Sequence, residues 1–66
     1  MKTPGGCIEN YINGNLADAQ KQAKGFSSDR LITYLHIDLG WSALKAIATA
    51  KYLKGRGSFQ EACNTE

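Results

Sequence analysis

Histidine occurs once in this chain, at His36, and the nearest carboxylate in sequence is Asp38. Two residues apart on a helix, the two side chains do not face each other, so they cannot form an acid–base pair. Ser27 and Ser42 each follow an aromatic residue and precede an apolar-periodic segment. That is where serine caps a helix rather than attacks a substrate. A nucleophile, a base and an orienting group would have to be gathered from remote positions. Asp18 and Asp29 have no partner that would set them up as a carboxylate pair, and Gly5-Gly6 follows Pro4 without the Lys that a phosphate-cradling loop needs. The two cysteines, Cys7 and Cys63, cannot close a zinc site without further Cys or His. They read as free, partly buried thiols, or as a bridge between the chain ends in an oxidising compartment. These residues point to no enzyme, no metal and no cofactor.

Side chains suited to binding are easier to find. Tyr34 and Ile37 stand off the main apolar stripe of their segment, and Trp41 sits at the junction that follows. Together they form a candidate patch for a macromolecular partner, a protein before DNA, or for a second copy of the chain. The alternative is that a central helix is covered on two sides. Lys51, Lys54 and Arg56, with Lys45 further back, gather toward the end of another segment. Cations there stabilise the helix dipole. They can also meet phosphates, with Tyr52 and Phe59 nearby as a stacking face.

The elements that must position these residues are marked by their stops and starts. Gly25, Gly40 and Gly55 lie fifteen residues apart, and the first two are followed by Phe26-Ser27 and Trp41-Ser42. A left-handed Gly ends a helix, a Ser caps the next, and the aromatic between them folds over the residue five positions on, Leu31 or Ala46. At the third junction, Ser58 and Glu61 have the spacing of a capping box. Asn13-Gly14-Asn15 makes an earlier break, with Asn15 placed to cap.

Five helical segments follow. The first covers about residues 6–12, with Ile8, Tyr11 and Ile12 on one face. The second runs from Leu16 to about Lys24, with Leu16, Ala19 and Ala23 inward. The third spans Ser28 to Leu39, with a stripe of Leu31, Ile32, Leu35 and Leu39. The fourth runs from Ala43 to Lys54, with Ala43, Ala46, Ile47, Ala50 and Leu53 inward. The last covers Phe59 to Cys63, with Phe59, Ala62 and Cys63 inward. No stretch alternates with period two. The expected fold is all-α: one domain over residues 1–66, a small bundle of four to five short helices joined by Gly- and Ser-punctuated turns, with 1–6 and 64–66 frayed.

Residues 14–35 carry a resemblance. Gly14-Asn15-Leu16-Ala17-Asp18-Ala19, then Gly25-Phe26-Ser27-Ser28-Asp29-Arg30-Leu31 and Leu35, are similar to the helix-turn-helix of the Fis type. That resemblance implies a DNA-binding regulator whose recognition helix would present Ser28, Arg30, Thr33 and His36. The segment departs from the pattern by one extra residue between Ala19 and Gly25, and by Ala23 or Lys24 where a larger aliphatic is usual. Asp29 also places a negative charge at the start of the recognition helix.

Bulk properties bound what remains. A 66-residue chain makes one domain with a thin core, burying about 60% of its unfolded surface. A net stability of roughly 3–5 kcal/mol is expected at this size. The formal charge of +2 is too mild to demand nucleic acid and of the wrong sign for a DNA mimic. No apolar run is long enough to span a membrane and the first residues lack a signal-peptide core, so the expected location is the cytoplasm. By analogy of size and style alone, the chain is like the short proteins of phages and plasmids that bind host machinery. The leading expectation is a non-enzymatic binding module, a protein-binding adaptor or inhibitor. The alternative is a DNA-binding regulator using Ser28, Arg30, Thr33, His36, Lys51, Lys54 and Arg56.

Overall fold

The computed structural model describes residues 3–64, with side chains through Ala62. Expectations about the first two and last two residues, and about Cys63 facing inward, lie outside the described residues. Five α-helices form: α1 (Gly5–Ile12), α2 (Leu16–Ala23), α3 (Ser28–Thr33), α4 (Ala43–Leu53) and α5 (Phe59–Asn64). Beyond Thr33, α3 continues as a π-helical segment, Tyr34–Asp38. No strand occurs among the described residues. The all-helical bundle follows from the helical spacing of the apolar residues and from the caps between them.

Those caps form as the serines suggest. Ser27 Oγ accepts from the Arg30 amide at 3.2 Å, Ser42 Oγ from Lys45 at 3.2 Å, and Ser58 Oγ from Glu61 at 3.1 Å. Each hydroxyl satisfies an amide that a helix start leaves without a carbonyl. Phe26 and Trp41 are half-buried against the core that contains Leu31 and Ala46.

The glycines differ from expectation. Gly40 (φ 72°) and Gly55 (φ 78°) are left-handed, but the third such glycine is Gly14 (φ 85°), and Gly25 is not among them. At Gly55 the Arg56 amide donates to Lys51 O (2.8 Å) and the Gly55 amide to Tyr52 O (3.0 Å), the paired bonds of a Schellman end. Gly14 closes α1 in the same way, with Asn15 donating to Asn10 O at 2.8 Å. Asn15 therefore acts through its backbone, and its side chain makes no cap. At Gly25 the turn is closed by three-residue bonds, Gly25 to Gln22 O and Phe26 to Ala23 O. The Lys54 ammonium, from the end of α4, completes that end: it donates to Ala23 O at 3.2 Å and Phe26 O at 2.8 Å. A side chain remote in sequence thus gives Ala23 O a second donor, beside the Phe26 amide, and reaches Phe26 O in the loop that follows.

Alanine dominates the core because the helices approach closely. Ala19, Ala23, Ala46, Ala50 and Ala62 are buried beside Cys7, Ile8, Leu31, Leu35 and Leu53. Helix α4 is the hub, packing against α2, α3, the π-helical segment and α5. Covered on several sides, it buries Thr49 and Tyr52 in addition to Ala46, Ala50 and Leu53, while Ala43 and Ile47 are exposed. The expected inward face of α4 was therefore displaced by a fraction of a turn. Helix α1 starts at Gly5, and α2 lies on its Cys7 side, where the thiol donates to Ala19 O at 3.1 Å. That tilt buries Cys7, Ile8 and Tyr11 and turns Ile12 outward. Leu39 also leaves the expected stripe, because the wider π-helical turn ends the i+4 register before reaching it.

Candidate partner-binding surface

Of the proposed patch, Ile37 alone is freely exposed, at 67%. Tyr34 is half-buried against the start of α1, close enough that a Cβ on Gly5 would lie 3.2 Å from its hydroxyl. Trp41 faces inward to an aromatic cluster, its ring centroid 6.5 Å from that of Tyr11. Tyr11 in turn meets Tyr52 and Phe59, both at 5.9 Å. Phe59 is expected inside; it keeps 43% of its surface open while its ring closes this cluster. The Lys45 ammonium stands 4.7 Å from the Trp41 ring centre, a cation–π contact that further occupies the indole. Tyr34 and Trp41 hold the fold, and the three residues do not make one open patch.

The open apolar surface lies beside them. Among the described residues six large hydrophobics are exposed, and four of these, Ile37, Leu39, Leu44 and Ile47, fall between positions 37 and 47. The π-helical turn and the rotation of α4 together produce this concentration. Leu44 (68% exposed) and Ile47 are three residues apart, hence neighbours on the outer face of α4. Beyond them, a groove of about 290 Å³ runs between α3 and α4, floored by Ile32, Ile47 and Ala50 and edged by Ser28, Lys51 and Arg56. Sequence reasoning passed over Leu44, although its failure to fit the 46–50–53 stripe was a signal of exposure. It placed Ile47 and Leu39 inside.

The residues proposed for nucleic acid are divided. Ser28, Lys51 and Arg56 share the α3–α4 groove. Arg30 and Thr33 line a different depression, with the carboxylates of Asp29 and Asp38. His36 Nδ1 lies 2.8 Å from Trp41 O. A carbonyl can only accept, so Nδ1 carries the proton and the ring braces the turn after the π-helical segment. Lys54 is held by two carbonyls, as described above. A third groove, of about 550 Å³, brings Lys54 together with Lys21 of α2 and Lys24 just after it. The approach of α2 to the end of α4 joins Lys54 to these two lysines, some thirty residues earlier in the chain. Helix α2 packs mainly on α1 and α4, whereas α3 packs on α4.

Cys7 is a free, buried thiol whose pKa is raised by burial, the reverse of what a reactive cysteine needs. Among the described residues no group of three or more His, Cys, Asp or Glu side chains is placed to hold a metal ion, and no helix is long and apolar enough to cross a membrane. Comparison with protein-family models, with curated proteins and with solved structures finds no match to this chain.

Proposed function

We propose that this chain is a small non-enzymatic protein-binding module, an adaptor or inhibitor, acting through the face made by α3, the π-helical segment and α4. The observation that carries the reading is the exposure of four large aliphatics between positions 37 and 47, Ile37, Leu39, Leu44 and Ile47, of which Leu44 and Ile47 are neighbours on the outer face of α4. Single exposed aliphatics need no explanation, but adjacent ones mark interaction surfaces. Affinity capture from host extract, with and without nuclease, tests it. Partners that survive nuclease and are lost with Leu44→Asp or Ile37→Asp support the reading. Nuclease-resistant partners retained by both variants count against it.

A second reading, DNA binding, has one observation in its favour. Lys21, Lys24 and Lys54 line one groove and Lys51 and Arg56 edge another, with no carboxylate in either lining among the described residues. For this reading, duplex affinity falls steeply with salt, and the slope drops by about one for each phosphate contact removed by Lys51→Ala or Arg56→Ala. No binding at low salt and micromolar protein excludes it. Sedimentation over a range of concentrations tests whether a second copy covers the apolar face, as a homodimer would.

A further inference from the structure

We infer that the α3–α4 groove receives an amphipathic helix with an acidic first turn, lying antiparallel to α4. This rests on the protein-binding reading and specifies its partner chemistry. The groove has an apolar stretch and a charged end. Ile47 and Ile32 line the groove, and Leu44, three residues before Ile47 and exposed on the same face of α4, extends its apolar side beyond the lining. Lys51 follows Ile47 by four residues on that same face. From Leu44 to Lys51 the rise is about 10 Å, the length of two helical turns. The Schellman end at Gly55 folds the chain back and hydrogen-bonds the Arg56 amide to Lys51 O, so both cations edge the groove at the same end. Among the described residues no carboxylate lines it to neutralise them.

Charge complementarity then selects the occupant and its direction. An apolar surface one turn long, from Leu44 to Ile47, with a cation one turn further on, is read by a helix with anchors at three- to four-residue spacing. Two cations at one end call for carboxylates opposite. Carboxylates are favoured in a helix's first turn, where they meet its positive dipole end. Placing that turn beside Lys51 and Arg56 sets the partner's N-terminus against the C-terminal end of α4. The two dipoles then run in opposite directions, which is the favourable arrangement. The partner's aliphatic anchors fall over Ile47 and Ile32, then over Leu44.

A displayed library of helix-constrained peptides, about four turns long, selected against the whole chain, tests this. The expected winners carry Asp or Glu in the first turn and Leu, Ile or Met at three- to four-residue spacing after it. Their affinity is expected to fall about tenfold with Leu44→Asp or Ile47→Asp, as for loss of an interface anchor. Lys51→Glu combined with Arg56→Glu is expected to reject these peptides and instead to select Lys or Arg in the first turn. All four positions are exposed, and circular dichroism checks that each variant folds. Winners without an acidic first turn, or with the acids in the last turn, overturn the proposal. Winners lost with Ile37→Asp but unmoved by these three variants also overturn it, while leaving the protein-binding reading intact. Enrichment of no peptide, with salt-sensitive duplex binding through Lys51 and Arg56, overturns both.

Discussion

The two long sides of α4 use similar residues for opposite ends. Toward α2, polar side chains hold the fold: Lys54 donates to Ala23 O and Phe26 O, and Gln20 Nε2 to Tyr52 O. Leu53 is closed beneath them. Toward α3, Lys51 lies three residues before Lys54 yet edges an open groove, beside the exposed Ile47. A lysine at this end of the helix is structural or available according to a rotation of about a sixth of a turn. Neither residue type nor local charge density separates the two cases. What separates them is whether another helix has arrived on that side.

The contrast can be broken by measurement, and the largest effect expected is in the apolar pair. Leu53→Ala should cost about 2–5 kcal/mol by urea unfolding, enough to unfold a domain of this size. Leu44→Ala should stay within about 0.5 kcal/mol, as exposed positions do. Equal losses would erase the distinction between a closed and an open side.

The lysine pair sharpens it further. Lys54→Met keeps the aliphatic stem but leaves the Ala23 and Phe26 carbonyls without the ammonium, at an expected cost of about 1–2 kcal/mol. Lys51→Met should be nearly neutral in the same melt. A neutral Lys54→Met would free that lysine for a ligand and move weight to the DNA reading.

Thr49 tests the closed side from inside. Its hydroxyl is buried without a hydrogen-bond partner among the described residues, a state that costs about 1–3 kcal/mol. Thr49→Val should therefore stabilise by about 1 kcal/mol. A loss of that size would mean that the hydroxyl has a partner in solution.

The two glycines flanking α3 give a smaller, paired effect. Gly40→Ala should cost about 1 kcal/mol, because φ is positive there. Gly25→Ala should be neutral or slightly stabilising, since a Cβ would meet only Gln22 O at an ordinary 3.5 Å. Equal penalties would restore Gly25 as a left-handed stop.

The smallest effect is confined to alkaline pH. Burial raises the Cys7 pKa above its ordinary 9.0, so the unfolded thiol ionises first. The contribution is fully present below pH 9 and is lost as pH rises through the folded value. Stability should decline across that range, and Cys7→Ala should remove this part of the slope. An unchanged slope would place the thiol in water.

Much of the fold was legible in the sequence because it rests on local chemistry. Ser27, Ser42 and Ser58 cap helices with hydroxyls that reach only three residues on, so spacing alone identifies them. Leu31, Leu35, Ala46, Ala50 and Leu53 repeat at helical spacing, and a 66-residue chain has only one core in which to bury them. Gly40 and Gly55 end helices through backbone conformations set within a few residues. Tertiary structure decided the rest. It decided which edge of each stripe is covered, turning Ile12, Leu39 and Ile47 outward and Cys7, Thr49 and Tyr52 inward. It brought the Lys54 ammonium to the end of α2, across some thirty residues of chain. It drew Tyr34 and Trp41 into contacts with α1 and assembled Ile32, Ile47, Lys51 and Arg56 around one groove. The physical reason is common to these cases. A helix period fixes where side chains stand around their own axis, but burial depends on the direction from which the next helix approaches.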